Sequence, residues 1–254
     1  MNEQSKQFRV DSTLSKGLTI LEALAASRRG FGVTELSKEL GLTKSNTFRL
    51  LQTLTALGYV NHREDKTYAA TLRMWQVGRT TVDNLNLREF AAEEMCHLNH
   101  ETQETVYLAV RDGLNVIYID KIESQKPIRT WSPIGGSAPI HTVATAKAIL
   151  AANYDELRAK LSEPLAKHTE RTLTTLAELD KDVEETLARG YALDVGGFRD
   201  RAISFGAAIM VGDEAVGAIG LSLPDVNLEK GSEDRLGALV QHAATAVSRK
   251  LNLV

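Results

Sequence analysis

The chain has 254 residues, 43% hydrophobic and 25% charged, enough for two modest domains with packed cores. No apolar run reaches the roughly 18 residues of a membrane span, the start MNEQSKQFRVDS lacks a signal-peptide core, and one cysteine, Cys96, excludes an internal disulfide framework; a reducing cytosol with no membrane partner is the expected setting. The net charge of −3 is unevenly spread: residues 1–80 hold 12 Lys+Arg against 7 Asp+Glu, and residues 81–254 hold 18 against 26, the asymmetry expected of a basic nucleic-acid-reading head on an acidic body.

In chain order, residues 1–11 read as a mobile arm carrying Lys6 and Arg9. Thr13 to Ala26 predicts a helix with Leu14, Leu18, Leu21, Leu24 and Ala25 on its packing face. Val33 to Val60 then reads as helix, tight turn, helix and strand entry. Leu36 and Leu40 lie four apart on one helical face, with Thr34 as a candidate cap and Gly41 where the helix end needs positive φ. Leu42 plugs the turn, and Thr43 is a second candidate cap for a helix starting at Lys44. In that helix Phe48, Leu51, Leu54 and Leu57 are predicted to be buried, leaving Lys44, Ser45, Asn46, Thr47, Arg49, Gln52 and Thr53 on a face without an acid. Such side chains donate to phosphates and pair with base edges.

After Gly58, YVNHREDKTYAAT predicts two short strands around Glu64-Asp65-Lys66, a wing that includes Arg63. Residues 12–70 thus form a winged helix-turn-helix, whose second helix is the groove-entering element. The candidate DNA contacts are Thr43, Lys44, Ser45, Asn46, Thr47, Arg49, Gln52 and Arg63. An ordinary amphipathic hairpin gives the same spacing; the extra helix and the wing favour the DNA reader.

Residues 71–84 read as a partly helical linker with Leu72, Trp75 and Val77 as its apolar members. Residues 85–254 form the second domain. Leu85 to Gln103 predicts a helix with one stripe through Leu87, Phe90, Ala91, Met95, Leu98 and Thr102. Thr105 to Arg111 and Val116 to Ile122 predict a hairpin around Asp112-Gly113-Leu114-Asn115, and Ile128 to Ile134 a third strand. Helices are expected at 142–152, 155–161, 175–189 and 232–251, and strands at 191–195, 202–211 and 215–223. The domain is α+β, an antiparallel sheet flanked by helices.

The segments LSKGLTILEALA, VTELSKELGLTKSNTFRLLQTLTALGYV, IGGSAPIHTVATAKAILAA and RGYALDVGGFRDRAISFGAAIMV resemble the IclR family of bacterial transcription regulators over about residues 12–250. The resemblance implies a winged helix-turn-helix, a linker helix and a GAF-like effector domain. It also implies a homodimer, paired into a dimer of dimers, on double-stranded operator DNA, modulated by a small effector, an organic acid or an aromatic acid. The base-reading helix corresponds to Thr43 through Leu57. The effector's carboxylate falls to backbone amides of Gly136, Ser137 and Ala138, an anion nest, with the family's pocket acid at Asp194, its cysteine at Ser204 and its serine at Ser222. The chain departs where family members often carry two glutamates, here Gly196 and Gly197, and where the cysteine is Ser204; Arg199 and Arg201 stand nearby.

His141 behind the nest either caps structure or touches ligand, and Trp131, Tyr107, Tyr118 and Phe205 either line the pocket or pack. His97 and His100 share a helix face with Glu93, Glu101 and Cys96, but with no second ligand cluster they read as a solvated face. With no phosphate loop, GxGxxG run or nucleophile elbow either, no cofactor and no enzymatic activity are expected. The alternatives are an enzyme domain with a dimerising head, or a DNA-free adaptor. A carboxylate beside Asp194 is repulsive unless one of the two is protonated or Asp194 accepts a ligand hydroxyl, so a hydroxy- or keto-acid is the preferred effector.

Overall fold

The structure is a computed structural model that describes residues 11–27, 29–83 and 86–253. The expected arm lies outside the described residues except for Asp11, and Lys6 and Arg9 lie there too. Asp11 itself belongs to the head. Its carboxylate accepts the backbone N–H groups of Thr13 and Leu14 at 3.0 and 2.8 Å and caps the first helix, an interaction generally contributing about 1 kcal/mol. The chain divides into two compact units, the first ending at residue 84 and the second beginning at 85.

In the first unit, helices α1 (Ser12–Ala26), α2 (Val33–Glu39) and α3 (Lys44–Ala56) precede a hairpin of β1 (Val60–His62) and β2 (Tyr68–Ala70) and a further helix, α4 (Arg73–Asp83). Ile20, Leu21 and Leu24 of α1 meet Leu36, Leu50, Leu51, Leu54, Val60 and Tyr68 in one core. Gly41, at φ +64, turns the chain between α2 and α3, and Leu42 packs against the core as expected. Thr43 caps α3 by accepting the Asn46 N–H at 3.3 Å. α2 is capped differently from expectation: its N-cap is Gly32, with no side-chain cap, and Thr34 lies inside the helix.

Two stripes are rotated from the predicted ones. On α1, Leu14 and Leu18 are exposed, and Ile20 takes the buried position. On α3 the buried set is Thr47, Leu50, Leu51 and Leu54, while Phe48 and Leu57 are exposed. The spacing i, i+3, i+4, i+7 is satisfied by starting one residue earlier, because the small Thr47 satisfies its own hydroxyl by donating to the Thr43 carbonyl at 3.1 Å and so enters the core.

In the second unit, α5 (Leu87–Thr102) is followed by β3 (Thr105–Asp112), β4 (Asn115–Ile122), β5 (Ser137–Pro139), α6 (Ala144–Ala152), α7 (Tyr154–Arg158), α8 (Leu176–Arg189), β6 (Ala192–Val195), β7 (Ala202–Val211), β8 (Glu214–Pro224) and α9 (Glu233–Leu251). The strands form one antiparallel sheet in the order β5-β4-β3-β8-β7-β6. Helix α6 packs on one face, and α5 and α9 pack on the other. The stretch Ile128 to Ile134 is not a strand: the third strand of the first half is the short β5, paired with β4 through Val116 and Ala138. Helix α8 starts in a capping box between Thr175 and Glu178 and ends at Gly190, φ +79.

Candidate functional site

Two separate surfaces carry chemistry. On the first unit, Ser45, Arg49 and Gln52 recur at i, i+4 and i+7 along the exposed side of α3, with Lys44 at its first turn. No acid interrupts α3. Thr43 is exposed, but its hydroxyl oxygen is used in the cap, and Asn46 is half-buried on the flank. Thr47, expected on this face, is fully buried, so its side chain is not available to DNA. Arg63 is exposed at the wing turn, where its N–H donates to the Thr67 carbonyl at 2.8 Å.

On the second unit, a cavity of about 550 Å³ lies on the α6 side of the sheet. Its floor follows from register. Asp194 pairs with Ser204, Ser204 with Ser222, and Ser222 with Thr105, so one polar row crosses β6, β7, β8 and β3. The next row has glycines in its two middle strands, Gly206 and Gly220. A Cβ on Gly206 would lie 2.5 Å from the Ala144 carbonyl and 2.6 Å from the Thr145 nitrogen, and one on Gly220 would lie 2.7 Å from Thr145 Cγ2. These two glycines therefore let the first turn of α6 sit directly on the sheet. Ser204 Oγ accepts the Ala144 N–H at 3.2 Å and caps the helix from a different strand. The N–H groups at such a terminus lack intrahelical partners and favour an anion.

Asp194 sits at the end of the polar row and is buried. Burial pushes its pKa up to about 6, against the pull of the nearby Lys147 ammonium and the Gly197 N–H. Lys147 is itself buried in α6, with its Nζ 3.2 Å from Asp182 Oδ1 and 3.6 Å from Asp194 Oδ1. One lysine thus faces two carboxylates, and the Asp182 charge adds to burial in raising Asp194. Gly197 donates its N–H to Asp194 at 3.2 Å, and a Cβ there would meet Asp194 Oδ1 at 2.3 Å. Gly196 has φ +78. The two glycines that depart from the family pattern therefore shape the chain around Asp194. Thr169 and Thr172 hold their carbonyls by hydrogen bonds of 2.6 Å.

The walls are aromatic and basic. Tyr107 and Tyr118 lie with ring centroids 4.7 Å apart, and Tyr107 Oη accepts the Ser132 N–H at 2.9 Å. Burial raises the pKa of both phenols, so both remain neutral donors. Trp131 stands at the rim, where its carbonyl accepts from Arg199 at 2.7 Å. Arg201, also at the rim, pairs with Asp225 at 3.1 Å. Phe205 is fully buried near Tyr191 and does not line the cavity.

The expected amide nest lies away from this cavity. Gly136, Ser137 and Ala138 do not line the cavity. The Gly136 N–H donates to Pro133, its carbonyl accepts from Tyr118, and Ala138 is fully buried in β5. Val143 and Thr145, at the N-terminus of α6, do line the cavity. His141 is structural: its Nε2 contacts the Ala166 carbonyl at 3.1 Å, and burial lowers its pKa. The signal for the missed residues is HTVATAKAIL, in which Lys147 is the sole charge in a small-residue run.

A family model described as the IclR helix-turn-helix domain matches residues 13–64, and one described as bacterial transcriptional regulator IclR C-terminal matches residues 79–249. The HTH-type transcriptional regulator KdgR of Escherichia coli K12 is 34% identical over 186 residues, which is 72% of this chain and 70% of that protein. The transcriptional repressor IclR of the same organism is 31% identical over 247 residues, 93% of this chain and 88% of that protein. Among solved structures, an IclR homologue from Microbacterium hydrocarbonoxydans, complexed with 4-hydroxybenzoate, aligns at TM-score 0.82 and 19% identity. It covers 96% of this chain and 100% of its own, a likeness of fold alone.

Proposed function

The chain belongs to the IclR family of bacterial transcriptional regulators, and from that premise we propose that its operator binding is controlled by a hydroxy- or keto-acid, with an aromatic hydroxy acid as the leading candidate. The observation that carries this reading is the polar row Asp194–Ser204–Ser222, set beside the N-terminus of α6 in a cavity flanked by Tyr107, Tyr118 and Trp131. The effector's carboxylate lies against the first turn of α6 and the serine hydroxyls. Its hydroxyl or keto oxygen reaches Asp194, which is protonated when it donates to a keto oxygen and accepts when it meets a hydroxyl. The aromatic walls cover the ring. The complex of a structural relative with 4-hydroxybenzoate is consistent with this choice.

The regulator is cytosolic and works as a homodimer or dimer of dimers on double-stranded DNA. Lys44 and Arg49 hold phosphate or guanine, Gln52 and Asn46 pair with adenine, and Arg63 meets the backbone from the wing. The effector changes operator affinity to the extent that it binds the DNA-competent and incompetent states differently.

Calorimetric titration with 4-hydroxybenzoate, benzoate and pyruvate tests the effector assignment. The expected order is 4-hydroxybenzoate or pyruvate above benzoate, with the preference lost in Asp194→Ala. Equal affinity of wild type and Asp194→Ala for every acid removes Asp194 from the site.

A further inference from the structure

We propose that Phe48 reads the 5-methyl group of a thymine in the operator's major groove. This rests on the reading of α3 as the base-reading helix, and it adds a specificity-determining residue to that helix. The sequence pattern puts Phe48 in the core, but the structure leaves it 45% exposed. The buried stripe of α3 is complete without it, through Thr47, Leu50, Leu51 and Leu54. Phe48 instead stands one turn from Lys44 and one turn from Gln52, beside Arg49. Along α3 the apolar ring is thus flanked by side chains that carry positive charge or neutral polar groups, and the helix contains no acid.

That setting selects the occupant. A protein partner burying Phe48 would have to cover Lys44 and Arg49 as well, and the ligand that matches a ring between cations is a polyanion with an apolar feature. In the major groove the apolar feature is the thymine methyl, which only A·T pairs display. Gln52, on the same file of the helix, can pair bidentately with an adenine N6 and N7. Phe48 and Gln52 together would read a short A·T step, with Lys44 and Arg49 fixing the register on phosphate or guanine.

The test uses the full-length protein. An operator is enriched from random-sequence duplex by the wild type, and each thymine is then replaced by uracil, which keeps the pairing and removes only the methyl. Dissociation constants are measured by fluorescence anisotropy for wild type, Phe48→Ala and Phe48→Leu. At one thymine of each half-site, uracil should weaken the wild type by about fourfold, the worth of one buried methyl. Phe48→Ala should show no further loss at that thymine while keeping wild-type sensitivity at the other thymines; Phe48→Leu should fall between. The proposal is overturned if the wild type ignores uracil at every thymine, if Phe48→Ala responds as the wild type does, or if Phe48→Ala changes the oligomeric mass and leaves base preference intact. Failure to enrich any sequence would instead overturn the reading of α3 itself. Since Phe48 lies outside the core, Phe48→Ala should retain the wild-type melting temperature, which checks the fold.

Discussion

The exposed face of α3 and the cavity above β6, β7 and β8 are both suited to an anion, and they are built in opposite ways. On α3 the groups are long cations in water, Lys44 and Arg49, with neutral donors between them. In the cavity the groups are short and drawn in from solvent: two half-buried serines, a helix N-terminus and a buried carboxyl whose lysine partner is itself buried. The first arrangement acts through charge that salt screens. The second acts through hydrogen bonds and desolvation, which salt barely touches and pH controls. Variants of the two regions should therefore fail in different assays and under different conditions.

The sharpest separation is expected from Arg49→Ala. Loss of a guanidinium on the reading face should lower operator affinity by roughly 10- to 100-fold, the range for a good bidentate base contact. Anisotropy on a selected operator measures it, and calorimetry should show unchanged effector affinity. A matching loss of effector affinity would mean that the two regions are not independent. The mirror experiment is Gly206→Val. Its side chain would strike the first turn of α6, where even a single Cβ meets backbone at 2.5 Å. Overpacking of that kind generally costs about 1–3 kcal/mol. Effector affinity should fall roughly tenfold or more by calorimetry, with the operator affinity of the ligand-free protein retained.

A subtler distinction lies in pH. Asp194 titrates near 6 in the folded protein, above its ordinary value of 3.8. Its contribution to stability is fully present below pH 3.8 and is lost as pH rises through about 6. Asp194→Asn should therefore melt higher than wild type at pH 7.5 and close to it at pH 4.5. In the wild type, affinity for a monocarboxylate should tighten as pH falls through about 6, and this dependence should vanish in Asp194→Asn. The smallest expected effect is that of Ser137→Ala. Ser137 lies in β5 and does not line the cavity, so effector affinity should stay within twofold of wild type. A large loss would restore the amide nest that the sequence suggested.

The comparison also explains what was legible before the structure. The head is a local object. Gly41, the Thr43 cap and the wing turn all sit within 40 residues, and each signals its own geometry through a cap, a positive φ or an alternating strand. What failed there was a rotation of the helix stripes. Periodicity fixes the spacing of buried positions but not which of two overlapping sets faces the core, and a threonine that bonds its own helix can take an apolar place. That single ambiguity exchanged Thr47 for Phe48.

The cavity is a non-local object. Asp194, Ser204 and Ser222 were singled out by resemblance and do meet, because antiparallel register places them side by side. The placement of the α6 N-terminus at the cavity was not legible, because where α6 touches the sheet is set by Gly206 and Gly220, remote from α6 in sequence. No periodicity within α6 carries that information.

The central claim is that an acid bound in the Asp194–Ser204–Ser222 cavity sets the affinity of the α3 face for its operator. The most direct test is to measure the operator dissociation constant with and without the tightest-binding acid of the calorimetric series, in wild type and in Gly206→Val. The account predicts a change of about 5- to 150-fold in wild type, the usual span of coupling between sites, and no change in Gly206→Val at the same acid concentration. An equal shift in both proteins would contradict it, since the acid would then act from somewhere other than this cavity.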